Sequence, residues 1–369
     1  MLTRATSTVP LATEALRGEV RPFERADVMA VATLWRRCFP REAATVESLV
    51  RTIADIFVEN PWGQADLPSL VYSEVGGHVT GFVGVIPRPM MLHGAPLRAV
   101  TTTRLMVEPH RRGIAALRLL QALLTGPQDL AVADFASVPS RALWERLGGV
   151  TAIHYSLEWF RPLAPARAAL GWWAHVARSP LMKIAAESVG RLVDFPLTRL
   201  SISPFRRRVA DERDEELSEA ELLRRLETEP PGPGLRASYR PDSLRWLLGM
   251  LRRKLVGLRI RGVRDGGAVI GSYAYGLDGN IGQVVHLDWT PGRFDDVYRR
   301  LLADAFGEGA AAVSGRLSPP LLRELDDRLC MLRRAPWVLV HSPSGAVLDA
   351  IARGDARLGR MDGEWWIPA

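Results

Sequence analysis

Cysteine is nearly missing from this sequence. The two present, Cys38 and Cys330, lie far apart and match no metal or redox spacing, so neither a disulfide framework nor a zinc site organises the chain, and no metal is expected. Lysine is as scarce: Lys183 and Lys254 are the only two, and the other 46 of the 48 basic residues are arginine. Long apolar runs are absent as well. None approaches the ~18 residues of a spanning helix, so no integral membrane segment is expected. The amino end, MLTRATSTVPLATEAL, lacks the continuous apolar core of a secretory signal. With no acid before Glu14 it bears a faint resemblance to a transit peptide, but a flexible tail over residues 1–17 is the plainer reading, and the cytoplasm is the expected compartment.

What is present is ordinary for a folded protein. The chain has 369 residues, 47% hydrophobic and 24% charged, enough for about two domains at ~100–200 residues each. The formal net charge is +7. A basic chain raises the question of nucleic acid, yet the arginines form neither one block nor one helix face. They read as compositional bias, and no nucleic-acid partner is expected.

Periodicity gives two similar series of elements. The first has a short strand at Glu19–Phe23, helical spacing over 26–39 and 42–58, and strands at 69–74, 78–86 and 97–107, with Gly76-Gly77 as a turn. A helix over 113–124, a strand over 130–136, a helix over 139–147 and a strand over 150–160 follow. The second series has strands at 205–210, 256–263, 268–275, 281–289, 311–314 and 337–341. Its helices are expected after Ser218-Glu-Ala-Glu221, which has capping-box spacing, and over 242–251, 294–306 and 319–331. Pro230–Gly234 reads as a loop. Helices alternating with strands indicate an α/β or α+β sheet in each half. The stretch 162–195 between them is apolar at Trp172-Trp173 and then charged. A connecting helical pair is the plain reading, and a membrane-surface helix the sharper one.

One run carries chemistry: Leu105-Met-Val-Glu-Pro-His-Arg-Arg-Gly-Ile-Ala-Ala-Leu-Arg-Leu-Leu120. An apolar strand stops at Pro109, turns through two arginines and a glycine, and enters a helix whose Ala116, Leu117, Leu120, Leu123 and Leu124 repeat at helical spacing. The first helical turn leaves backbone N–H groups without intrahelical partners. Those donors and the positive dipole end attract an anion, and Gly113 lets a phosphate approach the backbone. Arg111 and Arg112 add charge. The segment is a diphosphate cradle.

This run resembles the GNAT N-acetyltransferase superfamily, whose signature Gln/Arg-x-x-Gly-x-Gly/Ala follows the fourth strand; here it reads His110-Arg-Arg-Gly113-Ile-Ala115. Val20-Arg-Pro with its following helix looks like the family's opening. Ser137-Val-Pro-Ser-Arg-Ala-Leu-Trp-Glu-Arg-Leu-Gly-Gly149 looks like its later segment. The resemblance covers about residues 19–161. It implies a mixed, mostly antiparallel sheet flanked by helices, with acetyl-CoA as co-substrate. It places Leu105, Met106 and Val107 along the pantetheine arm, and Arg111, Arg112, Gly113, Ile114, Ala115 and Ala116 around the pyrophosphate. Ser137 stands where the family often has Asn at the cofactor.

The departures bear on catalysis. Trp144 replaces the Tyr that protonates the leaving thiolate in many members, and indole cannot act as a general acid. The fourth strand, Ala99-Val-Thr-Thr-Thr-Arg104, has no carboxylate. His78, His93, Glu108 and His154 are available as bases, but spacing singles none out, so the catalytic residues stay unassigned.

The second half has the sheet-like order without the loop, since Thr290-Pro-Gly-Arg-Phe294 holds one glycine in the wrong frame. By resemblance to tandem members it looks like a degenerate GNAT copy. The expected organisation is a tail over 1–17, a cofactor-binding domain over 18–161, a helical linker over 162–195 and the degenerate domain over 196–369. In that domain Trp246 reads as a core residue of an amphipathic helix. Its roles would be shaping the acceptor cleft or mediating a homodimer. The expected function is transfer of an acetyl group to an amine of a small molecule or glycan precursor by direct attack. The alternative is a non-catalytic acyl-CoA-binding regulatory or scaffold protein.

Overall fold

The structure, a computed structural model, describes residues 18–40, 42, 44–74, 76–111, 113–176, 188–196, 215–228, 234–325 and 328–367. The expected strand at 205–210, most of the Pro230–Gly234 loop and Arg112 lie outside them.

The first half follows the expected order: strand β1 (Gly18–Pro22), helices α1 (Val28–Cys38) and α2 (Val46–Phe57), and strands β2 (Leu70–Glu74), β3 (Val79–Leu92) and β4 (Ala95–Val107). Then come α3 (Ile114–Leu124), β5 (Leu130–Ala136) and α4 (Val138–Arg146). Local chemistry sets the ends of these elements. Thr45 Oγ1 accepts the Ser48 N–H at 3.2 Å to start α2, and Ser137 caps α4 ahead of Pro139; each such cap stabilises by about 1 kcal/mol. On α1, Val28, Val31, Leu34 and Trp35 are buried at helical spacing, the stripe a surface helix lays on its sheet. The buried face of α3 is Ala115, Leu119, Leu120, Leu123 and Leu124. It is rotated slightly from the face expected by spacing, so that Ala116 and Leu117 are only half-buried.

The strand expected over 150–160 is two. β6 (Val150–Thr151) and β7 (Leu157–Pro162) are separated by a 3-10 turn at Ile153–Tyr155. Tyr155 Oη donates to the Ala356 carbonyl at 2.9 Å and Ser156 Oγ accepts the Val338 N–H at 2.9 Å. These tertiary bonds bend a run whose local propensity is extended.

The second half contains α5 (Pro165–Val176), β8 (Glu215–Glu216), α6 (Glu219–Thr228), β9 (Leu235–Ala237), α7 (Pro241–Lys254), β10 (Val256–Asp265), β11 (Ala268–Asp278) and β12 (Ile281–Trp289). It ends with α8 (Phe294–Gly307), β13 (Ala312–Arg316), α9 (Pro319–Glu324), β14 (Met331–Arg334), β15 (Trp337–His341) and α10 (Gly345–Ala352). The Ser218–Glu221 capping box forms. The helix expected over 319–331 stops at Glu324, and its last residue, Met331, opens β14. Trp246 is a packing residue, edge-on to Trp62 at 5.4 Å and Trp366 at 5.2 Å.

Two mixed sheets result. One runs β1-β2-β3-β4-β5-β15-β6 with β9 beside β3, and the other β14-β7-β13-β12-β11-β10-β8. Each sheet contains a strand from the other series. β15 enters the first between β5 and β6, and β7 enters the second between β13 and β14. Each also has a parallel pair joined through a helix, β4-α3-β5 and β12-α8-β13. The two sheets therefore share one helix-linked parallel unit and exchange strands.

Residues 353–367 close the chain along both sheets. The Arg360 guanidinium, 2% exposed, bonds Glu158 at 2.8 Å, Gln283 at 2.7 Å and the Ser314 carbonyl at 2.9 Å. Arg88, stacked 4.2 Å over Trp62, donates to Tyr239 at 2.9 Å and to the Met361 carbonyl. Burying so much guanidinium is tolerable only because these partners replace water.

Candidate functional site: a parted strand pair and its glycine turn

β4 and β5 are hydrogen-bonded as a parallel pair only over Ala99–Thr101 and Leu130–Val132. Beyond that, both strands continue, to Val107 and Ala136, without pairing to each other. On its other side β4 stays paired with β3, but with one extra residue between Thr103 and Met106. Arg104 takes that bulge at φ +51, a left-handed conformation unusual for a non-glycine residue. Its guanidinium lies 4.1 Å over the Trp35 ring and 3.3 Å from Glu42, contacts that help hold the strained position. The bulge re-aims the end of β4, so the two strands part in a V beyond Thr101 and Val132, with residues 362–364 bonded across it to Thr101, Asp134 and Phe135.

The sequence-selected residues gather at one side of this V. Leu105, half-buried, and Met106 and Val107, buried, form the end of the β4 wall. A 3-10 turn at Pro109–Arg111 leads to Gly113 and into α3. Gly113 has an ordinary helical φ of −69°, so its backbone does not require glycine. A Cβ built there meets no atom within 4 Å. The face of the turn is open, as a ligand lying against the backbone needs. Ile114 is exposed while Ala115 is buried and Ala116 half-buried, so of the three only Ile114 presents its side chain fully to the solvent side.

Arg111 is placed differently from the expectation that it faces phosphates. Its Nε lies 2.7 Å from Glu74 on β2. That ion pair positions the turn, and an anion would have to compete for it. Ser137 is engaged as the cap of α4, with its Oγ 3.0 Å from Ser140 Oγ. Trp144 on α4 is 2% exposed, in the core cluster that also holds Leu119, Leu120 and Leu123 of α3, away from solvent and from any acid role.

The candidate bases do not converge on the V. Glu108 is held by Arg37 at 2.5 Å, with His78 at 3.7 Å. His93 lies 3.8 Å from Asp355, and His154 is exposed on the 3-10 turn before β7. A carboxylate does occupy the V, from a part of the chain that the sequence left unremarked. Glu364 Oε1 accepts the Phe135 N–H at 3.2 Å, and its own N–H donates to Asp134 Oδ1 at 2.6 Å. Burial and the neighbouring Asp134 carboxylate push the Glu364 carboxyl up to about 8, against the opposing pull of Thr103, Arg104 and the Phe135 N–H.

The second sheet has a matching opening. β12 and β13 pair over Ile281–Val284 and Ala312–Gly315 and then part. A cleft of about 770 Å³ lies there, lined by His286, Asp288, Trp289, Arg316, Arg353 and Arg360 among others. His286 and Asp288 form a buried cluster with Ser272 and Arg225. It is no hydrolytic triad, because one nitrogen, His286 Nε2, faces both Ser272 Oγ at 3.1 Å and Asp288 Oδ2 at 2.8 Å, whereas a relay needs both nitrogens. Burial works against charge on Asp288, but the hydrogen bonds and charges of His286 and Arg225 hold its carboxyl well below the usual range.

Among the described residues no cluster of three or more His, Cys, Asp or Glu could hold a metal ion, and no helix is long and apolar enough to cross a membrane.

A bulged fourth strand, a parted parallel pair and a helix opening on glycine define a GNAT-like fold. Solved structures agree. The chain is similar to a GCN5-related N-acetyltransferase from Anabaena variabilis at 13% identity and TM-score 0.58, covering 88% of this chain and 72% of that one. It is similar to a protein from Enterococcus faecalis described as a probable N-acyltransferase, at 11% identity and TM-score 0.57, covering 88% and 73%. The N-myristoyltransferase of Saccharomyces cerevisiae, solved with myristoyl-CoA, matches at 12% identity and TM-score 0.52, covering 92% and 81%. No family model matches the sequence, and no curated protein matches it.

Proposed function

We propose that the protein is an acyl-CoA-dependent N-acyltransferase, with acetyl-CoA as the donor and an amine of a small molecule or glycan precursor as the acceptor. The observation that carries this reading is the parting of β4 and β5 after Thr101 and Val132. It leaves backbone donors and acceptors along a slot that ends at the open face of Gly113. An extended pantetheine arm can hydrogen-bond such a wall as an added strand would. Its diphosphate then reaches the α3 N-terminus, where unpartnered N–H groups and the helix dipole favour an anion. Holding the acceptor amine against the thioester supplies much of the rate by positioning. A β4 N–H facing the thioester oxygen would stabilise the charge developing there. The second cleft, about 770 Å³ and continuous with residues 353–362, suits the acceptor. That segment leads directly to Glu364 in the first opening. A supply of acyl-CoA makes the cytoplasm the natural compartment.

The burial of Trp144 where an acid is usual favours a second reading, a non-catalytic acyl-CoA-binding protein. Calorimetric titration with acetyl-CoA, followed by CoA-thiol release with a panel of amines, separates the two. Binding with turnover supports the transferase. Binding without turnover supports the scaffold, and absence of binding contradicts both.

A further inference from the structure

We infer that Glu364 is the general base that deprotonates the acceptor amine, an assignment that rests on the transferase reading above. Its carboxylate is held between the two parted strands. Phe135, three residues beyond the last β5 residue paired to β4, donates its N–H to Oε1 at 3.2 Å. On the facing wall Thr103, two residues beyond the last paired residue of β4, bears on the same carboxyl. This is where a thioester carried along the β4 wall meets an incoming amine.

The segment bringing Glu364 there is fixed on both sides. Upstream, Arg360 anchors it to Glu158 and Gln283, and Asp362 accepts from Tyr239 at 2.6 Å. Gly363 packs so close to β5 that a Cβ would lie 2.1 Å from Asp134 Cγ. Downstream, Trp366 is buried, and Lys254 Nζ donates to the Ile367 carbonyl at 3.0 Å. A carboxylate whose main chain is pinned on both sides and whose own N–H is taken by Asp134 is positioned, as a base must be.

The charged groups around it come from each neighbouring element. Asp134 on β5 is paired with Arg316 of β13 at 3.3 Å. Arg104 on β4 is shared with Glu42. Asp362 and Arg360 lie on its own segment, and Lys254 at the end of α7. Asp134 and burial raise the carboxyl, while Arg104 works against them. Glu364 therefore holds on to a proton near neutrality and releases it as pH rises. In the reaction the amine nitrogen bonds to the acyl carbon and the C–S bond breaks. The amine proton passes to the Glu364 carboxylate, and CoA leaves as a thiolate that is protonated by solvent.

The test measures CoA release from acetyl-CoA with spermidine, tyramine, glucosamine and glycinamide, between about pH 6 and pH 10. Acetyl-CoA binding is followed in parallel by calorimetry. Glu364→Gln, which keeps an acceptor for the Phe135 N–H, should bind acetyl-CoA as wild type does. Its kcat should fall about 100- to 10,000-fold, and the rise in rate with pH should disappear. Glu364→Asp should recover part of the rate and restore the pH dependence. A Glu364→Gln enzyme with wild-type kcat and pH profile overturns the assignment while leaving the transferase reading intact. Wild type that binds acetyl-CoA and turns over none of the amines overturns it together with catalysis. Wild type that does not bind acetyl-CoA contradicts the function itself.

Discussion

Glu364 and Asp134 are joined main chain to side chain: the Glu364 N–H donates to Asp134 Oδ1 at 2.6 Å. One bond thus ties the C-terminal segment to β5, beyond the point where β5 leaves β4. The relationship depends on the residue before Glu364, and several consequences can be measured.

Replacing Gly363 by Ala places a methyl where Asp134 already sits. Overpacking of this kind costs about 1–3 kcal/mol. Gly363→Ala should lower the denaturation midpoint accordingly and displace Glu364, reducing turnover while acetyl-CoA binding persists.

Gly113 behaves in the opposite way. Its φ is ordinary and its Cβ position open, so Gly113→Val should leave stability within about 0.5 kcal/mol. If a diphosphate lies against this backbone, the same variant should bind acetyl-CoA at least about tenfold more weakly, a loss of about 1.4 kcal/mol. Unchanged affinity in calorimetry would place the phosphates elsewhere.

Arg360 is buried and joins Glu158 of β7, Gln283 of β12 and the chain's final segment. Arg360→Ala leaves Glu158 with fewer partners for its charge in a largely buried place. Breaking such a pair costs about 3–5 kcal/mol, which chemical denaturation should register.

Lys254 gives a pH signature. Burial lowers its ammonium to about 8 from an ordinary 10.5. The folded protein therefore binds this proton less tightly than the unfolded chain does. Below about pH 8 both states are protonated and the penalty is fully present; between about 8 and 10.5 only the unfolded chain is protonated, so Lys254's contribution to stability rises with pH. The stability difference between wild type and Lys254→Met should shift in favour of wild type across that window. A difference independent of pH would contradict the burial of this amine.

Most of the first half was legible in the sequence because its signals are local. The stripe on α1, the cap at Ser137 and the glycine turn before α3 each depend on residues within a few positions of one another. The strand exchange was not legible. Residues 150–160 read as one strand, and only the bonds from Tyr155 to Ala356 and from Ser156 to Val338 divide it. Those partners lie far along the chain and leave no trace in local propensity. Glu364 was missed for the same reason. Met361-Asp-Gly-Glu364 carries no motif, and its meaning comes from Gly363 meeting Asp134 across the fold. Arg111 shows the converse. A basic residue beside a glycine turn at a helix start invites an anion contact, yet Glu74 from β2 takes its charge. Part of the basic surplus lies inside the molecule, where Arg360, Arg316 and Arg104 are paired or stacked.

The most direct measurement is a crystal structure with acetyl-CoA bound. The account predicts the diphosphate against Gly113, the pantetheine along Leu105–Val107, and the thioester between Thr103 and Phe135 within reach of Glu364. Acetyl-CoA bound outside the opening between β4 and β5, or only in the second cleft, would contradict it.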